Sequence, residues 1–289
     1  MKHLIIGQGE VGKALKAIIP DASVCDPKYE QYPENTPFDV LHICFPFSHR
    51  KVATGGNTND ERQPNDADWG FIENVKQYKR MYSPSLVIIH SSVPIGTSDE
   101  LDAVHSPVRG VHPFLEKGIR TFVKFFGGFK AKEAAEIFDE LGIKTRWVRD
   151  ARTAEALKLW DTTQYGNMIL LEKEIHEFCK KNGVDFEIVY AEANQTYNDG
   201  YVELGMAHVV RPLLMHKTGP IGGHCVVENS ALFDSETPKR IIAANEVLKP
   251  KDVPPPSVSK IDFDEAPSFA EECIEEPPRF HSKKKKGGY

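Results

Sequence analysis

The sequence contains no apolar run long enough to cross a bilayer, so a membrane-embedded role is not expected. Its N-terminus, "MKHLIIGQGE", does not read as a signal peptide, because the apolar stretch is short and runs straight into a glycine turn. A basic surplus is missing too: 36 Lys and Arg stand against 42 Asp and Glu, a net charge of -6. That balance offers no electrostatic case for a nucleic-acid partner. The five cysteines, Cys25, Cys44, Cys179, Cys225 and Cys273, form no CxxC pair. Scattered and odd in number, they argue against a disulfide framework or a structural metal and for a reducing, cytoplasmic setting. There is no internal repeat.

What is present is a globular composition, 40% hydrophobic and 27% charged over 289 residues, with room for two domains. Short β-rich runs alternate with helical patterns through residues 1–150. "KHLII" (2–6), "ASVCD" ending at Asp26, "DVLHICF" from Asp39, "SLVIIHSSV", "VKFFGGF" and "TRWVRD" read as strands. "EVGKALKAII", "ADWGFIENVKQYKRMY" and "AKEAAEIFDELG" read as helices. This alternation predicts an α/β fold, a Rossmann-type doubly wound parallel sheet with crossover helices. Residues 49–66 are polar and rich in breakers, a surface loop.

The pattern changes near residue 150. A long helical stretch runs from Thr153, a candidate N-cap, to Gly183, a C-terminal stop, and "DFEIVYAEANQ" follows as a second helix. Residues 151–248 are therefore expected to form a smaller all-helical domain. Residues 249–289, rich in proline and charge and without sustained period, are expected to be a disordered tail. Its Lys283–Lys286 run reads as solvated.

Gly7-Gln8-Gly9-Glu10-Val11-Gly12 follows a strand and opens a helix, and Asp26 closes the next strand. That is the context of a dinucleotide-binding turn. Gly7 permits the turn, Gly9 admits the pyrophosphate, and Gly12 lets helix and strand pack closely. Asp26 would accept hydrogen bonds from ribose hydroxyls and repel a 2′-phosphate, which selects NAD as the cofactor. On the long helix, Lys158 and Thr162 share a face at i, i+4. Lysine there can stabilise an alkoxide, or simply be exposed. In "GPIGGHCVVENS", Cys225 follows Gly222, Gly223 and His224. A thiolate there can attack an aldehyde and hold it as a thiohemiacetal; an inert buried cysteine is the other reading.

These segments, in this order, resemble the UDP-glucose/GDP-mannose dehydrogenase family over about residues 1–233. "SSVPIGTS" is similar to S-T-V-P-x-G-T, "FLEKG" to part of N-P-E-F-L-R-E-G, "AEALKL" to A-E-x-x-K-L and "GPIGGHC" to G-P-G-x-G-G-H-C. The resemblance places Lys158 on the catalytic lysine and Cys225 on the nucleophile, with Thr162 and Asn229 beside them. It adds Pro46 and Ser92 to the cofactor-binding set of Gly7, Gln8, Gly9, Glu10, Val11, Gly12 and Asp26. It implies two successive NAD-linked oxidations of a sugar alcohol to a carboxylate, and a homodimer through residues 151–245, where Leu157, Met168, Leu171, Ile175 and Phe178 mark an apolar face.

The chain departs from the family pattern at four places. Pro113 stands where the family has glutamate, Thr162 where it has asparagine, Asn229 where it has aspartate, and Ser92 where it has threonine. Proline and asparagine cannot ionise, so a slow acyl-enzyme step is expected. The family's third domain, which holds much of the nucleotide, has no counterpart in the tail, so the substrate is left open. "GVHPF" (110–114) also resembles a segment of prephenate dehydrogenases. A two-electron dehydrogenase with a structural Cys225, and an NAD-binding regulatory or interaction subunit, are the alternatives.

Overall fold

The computed structural model describes residues 1–29, 33, 36–47, 69–223 and 225–249. The loop read at 49–66, His224, Cys273 and the tail from residue 250 lie outside the described residues.

The first half builds a seven-stranded sheet in the order β2-β1-β3-β4-β5-β6-β7. β1 (His3–Ile6) leads into α1 (Glu10–Ile18), β2 (Ser23–Cys25) and β3 (Val40–Ile43). α2 (Trp69–Tyr82) precedes β4 (Leu86–Ile89), the short α3 (Thr97–Glu100) and a two-residue β5 (Val104–His105). α4 (Leu115–Thr121), β6 (Lys124–Gly127), α5 (Ala131–Glu140) and β7 (Thr145–Val148) complete the layer. Strand side chains alternate between two cores, as the period of two requires. Ile5 and Ile88 pack with Leu15, Phe126 and Phe138 on one face; Leu4, Ile6, Val87 and Ile89 pack with Phe71, Val75 and Tyr82 on the other. β1 lies between β2 and β3, so the chain winds both ways from it, and the strand order reverses there. In open α/β sheets that reversal makes a crevice at the carboxyl ends of the strands.

Strand–helix alternation predicts parallel pairing throughout, and one pair departs from it: β5 and β6 are antiparallel. The connecting helix explains the difference. α4 has only seven residues, about 10 Å of rise, too short to carry the chain back across the sheet. The chain therefore turns at the carboxyl end of the sheet and re-enters from there. Gly118 makes the turn tight: a Cβ there would lie 2.6 Å from both Arg109 O and Gly110 Cα. This turn holds residues 106–114 at the mouth of the crevice.

α6 (Ala151–Asn182) begins against the sheet, where a Cβ on Gly127 would meet Ala154 Cβ at 2.7 Å, and runs on past it. Its N-cap is Asp150, which accepts a hydrogen bond from the Thr153 N–H at 3.0 Å, rather than Thr153 itself. Both residue types cap helices; the carboxylate three positions earlier is the one in extended backbone. Gly183, in left-handed conformation at φ 63°, ends the helix as expected. A π-helical turn, Glu187–Glu192, then α7 (Ala193–Glu203), α8 (Cys225–Ser230) and α9 (Glu236–Leu248) follow, with no strand among the described residues beyond β7.

Candidate active site

The turn from β1 into α1 has the shape its glycines require. Gly7 sits at φ 96°, and a Cβ there would press within 2.9 Å of Phe45 N. A Cβ on Gly12 would fall 1.8 Å from Gly7 O. Gly9 is different: a Cβ there would meet nothing within 4 Å among the described residues, so its outer side is open to them. Gly9 caps α1 without any side-chain hydrogen bond, leaving first-turn N–H groups for an anion. The other residues expected to bind the cofactor lie on the same strand ends and on α1. Val11 packs against the core, and Asp26 accepts from Gln8 N at 2.5 Å and from Lys28 N at 2.9 Å. Pro46 is exposed just beyond β3, and Ser92 is half-buried just beyond β4. Ser91 Oγ donates to Phe45 O at 2.6 Å, tying those two loops together.

α6 brings its side chains to the same end of the sheet through Glu155. This fully buried carboxylate accepts from Gly96 N at 2.6 Å and Ser98 N at 2.8 Å, so the "SSVPIGTS" loop is fastened to α6. Burial raises its pKa, and the backbone N–H groups oppose the rise. One turn on, Lys158 Nζ donates to Val108 O at 2.9 Å. Burial lowers the Lys158 pKa, while Cys225 and Asp161 act to raise it. Thr162 Oγ1 donates back to Leu159 O at 3.1 Å and accepts from Asn229 Nδ2 at 3.2 Å. All four residues expected to be catalytic therefore lie in one neighbourhood.

Cys225 is set there by α8 docking on α6. The close approach depends on Gly166, where a Cβ would stand 2.4 Å from Val226 Cγ1 and 3.1 Å from Ile241 Cδ1. Asn245 Oδ1 accepts from Ile221 N at 2.6 Å and anchors the glycine loop ahead of α8. Gly222 and Gly223 are exposed, and a Cβ on either would meet nothing within 4 Å among the described residues. Cys225 is half-buried, whereas Cys25, Cys44 and Cys179 are buried. Burial pushes the Cys44 thiol pKa far up, as expected of an inert cysteine.

The residue that sequence reasoning missed is His112. Its Nε2 lies 3.3 Å from Cys225 Sγ, and its Nδ1 hydrogen-bonds with Glu10 Oε2. A carboxylate, an imidazole and a thiol thus stand in line, from the glycine turn to the start of α8. The "GVHPF" segment carries a second family resemblance, which does not mark His112 as a site residue. The useful signal was that Pro113, next in the chain, replaces an ionisable residue of the family pattern.

A second polar cluster lies behind this one, inside the sheet. His3 Nδ1 meets His42 Nε2 at 3.0 Å, His42 Nδ1 meets His90 Nε2 at 3.1 Å, and Lys124 Nζ lies 3.3 Å from His90 Nδ1. Lys124 also donates to Ser106 O at 3.0 Å. Burial lowers His42 and His90 well below the usual histidine range and brings Lys124 down to about 7. His105, paired with Ile89 and so on the opposite face, is fully buried and makes no side-chain hydrogen bond among the described residues, and burial lowers its pKa to about 3.

No protein-family model matches the chain. In sequence it is similar to a UDP-N-acetyl-D-mannosamine dehydrogenase of Methanocaldococcus jannaschii, 28% identical over 169 residues, which are 54% of this chain and 36% of that one. The match thus spans about a third of the length of that curated relative. The fold is shared with a UDP-D-ManNAc dehydrogenase from Pyrococcus horikoshii, at TM-score 0.61 and 17% identity, covering 86% of this chain and 69% of that one. It is also shared with a Mycobacterium tuberculosis 3-hydroxyisobutyrate dehydrogenase, at TM-score 0.55 and 13% identity, covering 85% and 92%. All three of these relatives are named as dehydrogenases.

Proposed function

We propose that the chain is an NAD-dependent dehydrogenase that oxidises an alcohol carbon of a sugar or nucleotide-sugar-like substrate, with Cys225 holding the aldehyde on the way to a carboxylate. The observation that carries this reading is that α8, which starts at Cys225, is bonded through Asn229 to Thr162, one turn beyond Lys158 on α6, while Cys225 is joined through His112 and Glu10 to the glycine turn. The similarity to UDP-sugar dehydrogenases supports the substrate class.

The residues present fit a dinucleotide. The open side of Gly9 and the uncapped start of α1 suit a pyrophosphate. Among the described residues, two of about four acceptor positions on Asp26 are taken by backbone N–H groups, which leaves two for ribose hydroxyls. When bound there, NAD supplies the hydride acceptor. Lys158, held by Val108 O, stabilises the alkoxide formed as the substrate hydroxyl loses its proton. Thr162 and Asn229, bonded to each other, orient the substrate oxygen. Cys225 Sγ attacks the aldehyde carbon, and the amides of the Gly222–Gly223 loop are free to meet the developing oxyanion.

The working unit is a homodimer through the helical residues 151–245. Leu171 and Phe178, seven residues apart on α6, leave 55% and 61% of their surfaces exposed. That spacing puts them on one stripe of the helix, as an interface requires. Light scattering is expected to give twice the chain mass, and a Leu171→Asp, Phe178→Asp double variant the single mass.

The function is tested by melting-temperature shifts with NAD and NADP, followed by NADH production against nucleotide sugars, sugar phosphates and hydroxy acids. NADH formation with a nucleotide sugar or sugar phosphate is expected; protein that binds NAD yet oxidises none of these is a regulatory subunit. A second reading, a two-electron hydroxy-acid dehydrogenase, is favoured by the near-complete coverage of the 3-hydroxyisobutyrate enzyme. It requires turnover that survives loss of the Cys225 thiol.

A further inference from the structure

We infer that His112, oriented by Glu10, is the acid–base partner of Cys225. This rests on Cys225 as the nucleophile of the proposed reaction. Three observations carry it. His112 Nε2 stands 3.3 Å from Cys225 Sγ, within reach of a proton transfer to nitrogen. His112 Nδ1 is bonded to the Glu10 carboxylate, which fixes the tautomer with the proton on Nδ1 and the lone pair of Nε2 toward sulfur. The position that follows, Pro113, carries no ionisable group, so the segment offers His112 as its proton acceptor. This is the geometry of an activated nucleophile: a base within hydrogen-bond reach, itself oriented by a third group.

The chemistry closes. The Sγ proton passes to Nε2, and the S–C bond forms as the aldehyde π pair moves onto oxygen. The imidazolium returns its proton to that oxygen, giving a thiohemiacetal. With a dinucleotide bound, its nicotinamide would take the hydride from that carbon while the hydroxyl proton passes by way of Nε2 to solvent, which leaves a thioester and a neutral imidazole. Water adds to the thioester carbon while Nε2 takes one of its protons; the C–S bond breaks and the sulfur leaves as the thiolate beside the imidazolium. Aldehyde, water and NAD become carboxylate, NADH and two protons. Asn229 cannot activate that water by ionising, and His112 can. Glu10 acts through His112 and is a positioning residue. Its place in the first turn of α1 gives the turn that binds the cofactor a second task.

The test needs neither substrate nor cofactor, so its failure is separate from failure of the proposed function. The full-length protein is alkylated with iodoacetamide over a range of pH, and modification of each cysteine is followed by peptide mass spectrometry. Cys225 is expected to react faster than Cys25, Cys44 and Cys179 at about pH 7. His112→Gln is expected to slow Cys225 by about tenfold there, with the difference shrinking toward about pH 10. Glu10→Gln should slow it by roughly threefold with the same change of profile, and Glu10→Asp should restore most of the rate. Alkylation of Cys225 in both His112→Gln and Glu10→Gln at the unaltered rate, across the whole range, overturns the inference. So does a uniform slowing without a change in pH profile, since that is what mere displacement of α8 produces.

Discussion

Two polar clusters, each with histidine and one lysine, flank the segment Ser106–Val108, and burial sets them to different tasks. Lys124 reaches Ser106 O from inside the sheet, and Lys158 reaches Val108 O from α6. The inner line of His3, His42, His90 and Lys124 is walled by Phe138, whose ring lies 6.0 Å from both His42 and His90 and 5.5 Å from Lys124 Nζ. Neutral tautomers can align along it so that each link has one proton. Charging any of these groups costs solvation, so they serve as hydrogen-bonded core. In the outer cluster of Glu10, His112, Cys225 and Lys158, the first three are part-exposed, so solvent protons can reach them. A histidine's chemistry here is read from its surroundings rather than its identity.

The largest expected effect sharpens that contrast through acid. His42, His90 and His105 stay neutral in the fold well below the unfolded value of about 6.5. As pH falls below that value the unfolded chain takes up protons that the folded chain refuses, so stability is lost. Three such groups give a slope of roughly 4 kcal/mol per pH unit, continuing for His105 toward its folded value of about 3. Denaturant unfolding from about pH 7 down to about pH 4 measures it. A flat profile would mean that these rings are hydrated and able to charge.

Lys124 comes next. Its folded value of about 7 lies below the ordinary lysine value of 10.5, so the folded chain releases this proton first. Stability therefore rises with pH between those values, by several kcal/mol in total. Lys124→Met is expected to abolish that rise, and to stabilise the protein near neutrality by removing a buried cation.

Lys158→Ala should lower turnover by about a thousandfold with little change in melting temperature, because its loss removes alkoxide stabilisation. Steady-state kinetics on the two lysine variants breaks the comparison if Lys124→Met loses as much activity as Lys158→Ala. The smallest effect concerns the cofactor: NAD should bind at least about tenfold more tightly than NADP, and Asp26→Ala should narrow that gap. Equal affinities by titration calorimetry would remove Asp26 from its assigned place.

The sheet was legible because its strands are apolar runs closed by turn residues; "KHLII", "DVLHICF" and "SLVIIHSSV" became β1, β3 and β4 within a few residues. β5 was not, since two residues carry no period, and α3 and α4 are too short to show one. The antiparallel return hangs on α4, so it was missed with it. Lys158, Cys225 and the glycine turn could be read because each sits in a local motif. His112 could not: its partners lie 102 and 113 positions away in sequence, and only the return between β5 and β6 brings it to them.

The central claim is that Cys225 carries the oxidised carbon between two hydride transfers. It is tested most directly by counting NADH formed per substrate consumed, with the product identified, in the unaltered protein and in Cys225→Ala. About two NADH and a carboxylate are expected for the unaltered protein, against about one NADH and released aldehyde for the variant. Cys225→Ala turning over at the full rate, to the same product with the same NADH yield, would contradict it and make the thiol structural.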